Sequence, residues 1–142
     1  MKREKWIKWK PVEGIPQTLY FRDLKYDFDG LTISLQDRDK DLPMLTIYFK
    51  SFFALRIIDE GNKLIDSCDV DEAVLEMELE KGSYYKWSLF TVENSLYLEW
   101  FHQESVGVRQ NTELIHYVIQ TADDVIEVLD IAEIGSPIVT WN

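Results

Sequence analysis

The sequence predicts a mainly β to α+β domain: an antiparallel meander or a curled sheet or sandwich, with one or two short helices. Three observations carry that expectation. Apolar and polar residues alternate over several short runs, the period of a strand with one buried and one wet face. Polar turns containing Gly, Asp or Pro separate those runs at hairpin spacing. Apolar residues make up 46% of the 142-residue chain, with five Trp, seven Tyr and seven Phe. A chain of that length and content buries a sufficient core without staples. Residues 1–142 are read as a single domain, and 1–16 as a basic lead-in punctuated by Pro11, Gly14 and Pro16.

The elements follow in order. In "KWIKWK" the stretch is too short and too poor in apolar area to hold a membrane surface. Its Trp6 and Trp9, with Trp141 at the other end, are expected to dock the chain ends onto the sheet. Residues 18–50 read as a three-stranded meander. "YDFDG" is its first turn, with Gly30 free to take positive φ. In "LTISLQ", Leu31, Ile33 and Leu35 alternate with Thr32, Ser34 and Gln36. In "MLTIYF", Leu45, Ile47 and Phe49 do the same. Between them "DRDKDLP" is the hairpin connection. "FALRIIDEGN" is a fourth strand ending near Gly61. Residues 70–81 are ambiguous. Asp69 as a cap and Gly82 as a stop favour a helix; the alternation of Leu75, Met77 and Leu79 with Glu76, Glu78 and Glu80 favours a strand.

A strand then follows in "YYKWSLFTV". "ENSLYLEWFHQES" predicts the helix, capped by Asn94 or Ser95, with Leu98, Phe101 and Ser105 on one stripe and Leu96 and Trp100 beside it. "LIHYVIQT" and "DVIEVLDI" flank a short turn, and "SPIVTW" suits a sheet edge because Pro137 cannot donate to a ladder. The expected core comprises Leu31, Ile33, Leu35, Leu45, Ile47, Phe49, Trp87, Leu89, Ile119 and Ile126, with Trp100 assigned to it as well.

Charge narrows the function classes. The first ten residues carry five basic side chains and one acid, and the remaining 132 carry 10 basic and 25 acidic ones, for a total of −11. A body that acidic repels nucleic acid and anionic membranes and attracts basic partners. The lone Cys68 forms no internal disulfide, and no N-terminal apolar run suggests a secretion signal, so the cytoplasm is the expected compartment.

Chemistry-bearing patterns are few. Asp37, Asp39 and Asp41 match the first three ligand positions of a calcium loop, but Leu42 and Tyr48 stand where that loop needs Gly and Glu. Arg38 and Lys40 interleave and offset the charge. The trio therefore reads as a solvated hairpin tip or as part of a contact patch, with Asp27 and Asp29 joining it from the neighbouring turn. Two histidines, His102 and His116, and one cysteine are too few for a zinc site. No nucleophile elbow, phosphate loop or HExxH occurs. No cofactor, metal or catalytic residue is expected, and the chain is read as a binding protein rather than an enzyme.

The stretches "FFALRIIDEGNKL", "LFTVENSLYLEWFHQES" and "LIHYVIQTADDVIEVLD" together resemble small acidic immunity proteins of Gram-positive bacteria, encoded beside polymorphic toxins that include wall-associated nucleases. The likeness spans residues 44–141 and rests on patterns such as "VENS…WFH" and "HYVIQT". It implies a cytoplasmic protein that binds and blocks one basic toxin domain, by protein contact rather than through nucleic acid or membrane. It carries over no functional residues, because such proteins diverge fastest where they touch their toxin. Two other classes stay open at this point: a β-rich structural or oligomerisation domain using its sheet edges, and a small enzyme.

Overall fold

The computed structural model describes residues 3–16, 18–37, 44–59, 69–70, 87–108, 112–133 and 135–141. The fold is mostly β, as expected, with two largely antiparallel sheets and, among the described residues, one short helix. The meander is β2 (Tyr20–Asp27), β3 (Gly30–Gln36) and β4 (Met44–Phe49). With β10 (Ile138–Trp141) it forms a four-stranded sheet in the order β10-β4-β3-β2. The C-terminal strand takes an edge, as its proline suggested.

The second sheet has six strands. β5 (Ala54–Asp59) lies at one edge, followed by β9 (Asp124–Ile131), β8 (Leu114–Gln120), β7 (Leu89–Glu93), β1 (Lys5–Lys8) and β6 (Asp69–Val70). The β8–β9 hairpin turns at Thr121, whose hydroxyl accepts from the backbone N–H of Asp123 (3.2 Å) and Asp124 (2.9 Å). That is the local hydrogen bonding that makes Thr a turn residue. β5 does not extend the meander. It pairs antiparallel with β9, Leu55 opposite Val128 and Ile57 opposite Ile126.

The lead-in departs from expectation. Part of it is β1, an interior strand, antiparallel to β7 and parallel to β6. Trp6 is wholly buried and packs on Phe90 at 5.2 Å between ring centroids. Trp9 packs on Tyr117 at 5.0 Å, and Trp141 donates its Nε1–H to the Glu13 carbonyl at 3.0 Å. The terminal rings do dock, and one docks by way of a strand.

Every residue of the expected core list is buried except Trp100, and all the others belong to one apolar cluster spanning both sheets. β8 and β9 form the middle layer. Phe49 of the smaller sheet meets Tyr117 on one side at 5.4 Å. Helix α1 (Leu96–Glu104) lies on the other, where Tyr97 meets His116 at 5.4 Å. The helix is capped by Ser95, whose Oγ accepts from Leu98 N–H at 2.9 Å. Its neighbour Asn94 instead takes positive φ and donates its amide to the Arg3 carbonyl. Tyr97, not the stripe through Leu98, is the buried residue of α1. Trp100 stands half exposed, correcting its assignment to the core. Residues 71–81, where helix and strand readings competed, lie outside the described residues.

Candidate functional site

Two places in the fold gather side chains with chemistry. The first lies between sheet and helix. His116 of β8 and Glu127 of β9 are both fully buried. His116 Nε2 lies 2.9 Å from Glu127 Oε1, and Ser95 Oγ lies 2.7 Å from His116 Nδ1. Arg56 of β5 closes the chain with two bonds to the same carboxylate, Nε to Oε2 at 2.6 Å and Nη2 to Oε1 at 2.9 Å. Its guanidinium also lies 4.0 Å from the Tyr97 ring centroid. Burial alone would lower the Arg56 pKa, but the Glu127 carboxylate outweighs it and holds the guanidinium charged. Burial raises the Tyr97 phenol above its usual range.

A Ser–His–carboxylate sequence invites comparison with hydrolytic triads. Its details favour a structural role. Ser95 Oγ already accepts from Leu98 N–H as the helix cap. With Nε2–H donating to Glu127, Nδ1 accepts the Ser95 hydroxyl, so the chain is satisfied internally. The bidentate Arg56 shares the carboxylate charge that a relay would use to support an imidazolium. Glu4, buried beside the same helix start, accepts from Leu96 N–H at 2.8 Å. These bonds fix α1 to the sheet.

Sequence reasoning missed this network because its members lie 11 to 71 residues apart. One signal pointed to it. A His and a Glu inside the apolar runs "LIHYVIQ" and "DVIEVLD" must find partners if both strand faces are buried.

The second place is the β2–β3 turn. Asp27 pairs with Gly30, so Phe28 and Asp29 form a two-residue hairpin loop. Asp27 Oδ1 accepts from Asp29 N–H at 2.8 Å, and the Tyr48 hydroxyl donates to the Asp29 carbonyl. Gly30 has φ +126°, and a Cβ there would sit 2.6 Å from the Phe49 carbonyl oxygen, so only glycine fits. Lys25 Nζ lies 3.3 Å from Asp27 Oδ2. The Asp29 N–H, with help from Lys25, holds the Asp27 carboxyl below the usual carboxylate range. Tyr26 is 68% exposed and meets Phe52 edge-on at 5.0 Å. Phe28 is fully exposed. A shallow groove of about 280 Å³ runs beside the turn, lined by Tyr26, Phe28, Lys50 and Phe52.

The acidic candidates do not come together. Asp27 and Asp29 lie at one end of β3 and Asp37 just beyond the other, about 20 Å apart across its seven residues. Consecutive turns of a meander alternate ends, so Asp37 stands at the opposite end of β3 from Asp27 and Asp29. Asp39 and Asp41 lie outside the described residues. Among the described residues no group of three or more His, Cys, Asp or Glu is placed to hold a metal ion, and no helix is long and apolar enough to cross a membrane.

No family model, curated protein or solved structure matches the chain.

Proposed function

We propose that this protein is an immunity-type binding protein of the bacterial cytoplasm, which sequesters and inhibits one cognate basic toxin domain. A nuclease suits that role, since a domain that grips phosphates is itself basic. The observation that carries the reading is the charge: −11 over 142 residues, made up of +4 in the first ten and −15 over the other 132. Opposite charge on the partner accelerates encounter and selects against acidic competitors. The closed Arg56–Glu127–His116–Ser95 chain supports a rigid binding body rather than a catalytic one. The immunity family enters through the sequence resemblance, and the charge is consistent with it.

The test begins with the genes beside this one: one of them should encode a large secreted polypeptide, whose C-terminal domain is then expressed. Alone it should arrest growth, and together with this chain it should not. The purified pair should form a one-to-one complex whose association slows steeply as salt rises. Growth arrest that this chain leaves undiminished overturns the reading. The competing class, a structural domain that self-associates through its sheet edges, is favoured instead if the chain sediments as a concentration-dependent oligomer and rescues nothing.

A further inference from the structure

We infer that the outer face of α1, with the turn that ends it, is the surface that holds the partner, and that the partner it fits is a basic protein domain. This rests on the immunity reading and names where and how the toxin is held.

Apolar side chains collect on this face. Leu96 and Trp100, four residues apart, lie side by side on the helix, each about half exposed. Past the helix end, Val106 is 88% and Val108 77% exposed. Residues 96–108 thus hold four of the eight large apolar side chains left exposed among the described residues. Apolar groups gathered in one region, unlike a single exposed ring, mark interaction surfaces.

Val106 is also strained. The helix closes with two hydrogen bonds, Gly107 N–H to the His102 carbonyl at 2.8 Å and Val106 N–H to the Gln103 carbonyl at 3.1 Å. That motif needs its inner residue in the left-handed region, where glycine is the ordinary occupant. Here the position is Val106, at φ +53°. A β-branched residue suits that conformation poorly, and so exposed a side chain regains nothing by packing. Gly or Asn would end the helix better. The apolar side chain is accounted for by what it meets outside the fold.

Charge selects the occupant. Residues 87–108 contain Glu93, Glu99 and Glu104 and no Lys or Arg, and all three glutamates are exposed. Arg56, packed on Tyr97, is already matched by Glu127. A groove of about 630 Å³ runs along the helix, lined by Leu98, Glu99, His102, Gln103 and Val106. Apolar walls beside a carboxylate suit the side chain of a lysine or arginine, whose methylene stem packs while its charged head stays in reach of water and of the acid. The β2–β3 turn, where Lys25 and Lys50 offset the aspartates, expresses no such preference.

The face is held in place. Ser95 and Glu4 fix the helix start. Trp100 stacks at 5.6 Å on Tyr97, which Arg56 and His116 hold to the sheet. A surface already fixed loses little further freedom on binding.

The experiment titrates the full chain and three variants with the toxin domain used in the growth assay, and records each thermal midpoint. Val106→Asn should melt a few degrees higher, because the left-handed position is relieved, yet bind about tenfold more weakly. Trp100→Ala should bind about thirtyfold more weakly, through faster dissociation. Glu93→Gln, Glu99→Gln and Glu104→Gln together should slow association several-fold at low salt and flatten its salt dependence. If Trp100→Ala lowers the midpoint, Val106→Asn decides, since it loses affinity without losing stability. Tight binding by the unaltered chain that Val106→Asn leaves within twofold overturns the α1 face and spares the immunity reading. Association that the triple variant leaves unchanged overturns the basic occupant. No binding by the unaltered chain overturns the immunity reading and the inference together. A dimer of the unaltered chain that Trp100→Ala dissociates gives this face to a second copy and also overturns the inference.

Discussion

Gln120 sits at 3% exposure near the end of β8, and among the described residues neither end of its carboxamide has a hydrogen-bond partner. Its backbone is well placed, donating to the Ser88 carbonyl at 2.7 Å. The side chain, however, is desolvated without return. Burying an unmade donor or acceptor costs about 1–3 kcal/mol. Gln120→Met keeps the length and volume and removes both orphaned groups. It should raise unfolding free energy by about 1–2 kcal/mol, read as a higher urea midpoint at unchanged slope. A lower midpoint would mean that a bound water or another polar group satisfies the amide. Sequence reading had no means of singling out Gln120, since "HYVIQT" places it where a strand emerges into a turn and a solvated face is the natural expectation.

At the scale of elements, α1 depends on the network beneath it. The helix is nine residues long, too short to be stable alone. Ser95 and Glu4 satisfy N–H groups of its first turn, and Arg56 and His116 tie its Tyr97 to the sheet. Removing Glu127 orphans the buried His116 Nε2–H and leaves Arg56, whose side chain is 36% exposed, to turn to water. Glu127→Ala should therefore cost about 1–3 kcal/mol in chemical denaturation. Replacing Arg56 and Glu127 together with Leu should recover part of that loss, although His116 keeps one orphaned N–H. If the double variant is as unstable as the single one, the network is more than a charge pair. These same elements show what a sequence can reveal. The alternation in "LTISLQ" and "MLTIYF" specified both strands and their buried faces, because that meander is local. α1 was legible from its cap. β1 was not: four residues with two lysines look like a charged tail, and they become a strand only because β7 and β6 flank them.

For the whole molecule, the layered fold turns charge and burial into a pH profile. The candidate site was half legible at this scale. Asp27 and Asp29 were recognisable as a turn, but acidity drew the eye to carboxylates while Phe28 and Tyr26 between and beside them went unweighed. Which of these groups stay exposed depends on packing between layers. The titrating groups obey the same rule. Burial pushes the carboxyls of Asp130 and Asp124 above the usual range. A raised carboxyl favours the folded state when protonated, so that contribution is present below pH 3.8 and lost as pH rises through the folded value. Exposed Asp27 has the opposite sign, with its contribution lost as pH falls. Tyr117, 4% exposed between the sheets, is pushed up to about 12 by burial, with Asp130 adding to the shift. Its unfolded value is near 10. The neutral phenol therefore stabilises the fold fully below pH 10, and that stability drains away between pH 10 and 12. Two pH units correspond to about 3 kcal/mol. Urea midpoints measured from pH 9 to 12 should fall steeply over that window in the unaltered chain. Tyr97, also raised, contributes in the same direction. Tyr117→Phe cannot ionise at that position, so its midpoint should fall more gently over the same window. Parallel curves for the two proteins would show that alkaline unfolding begins elsewhere, most directly in the self-repulsion of a body already at −11.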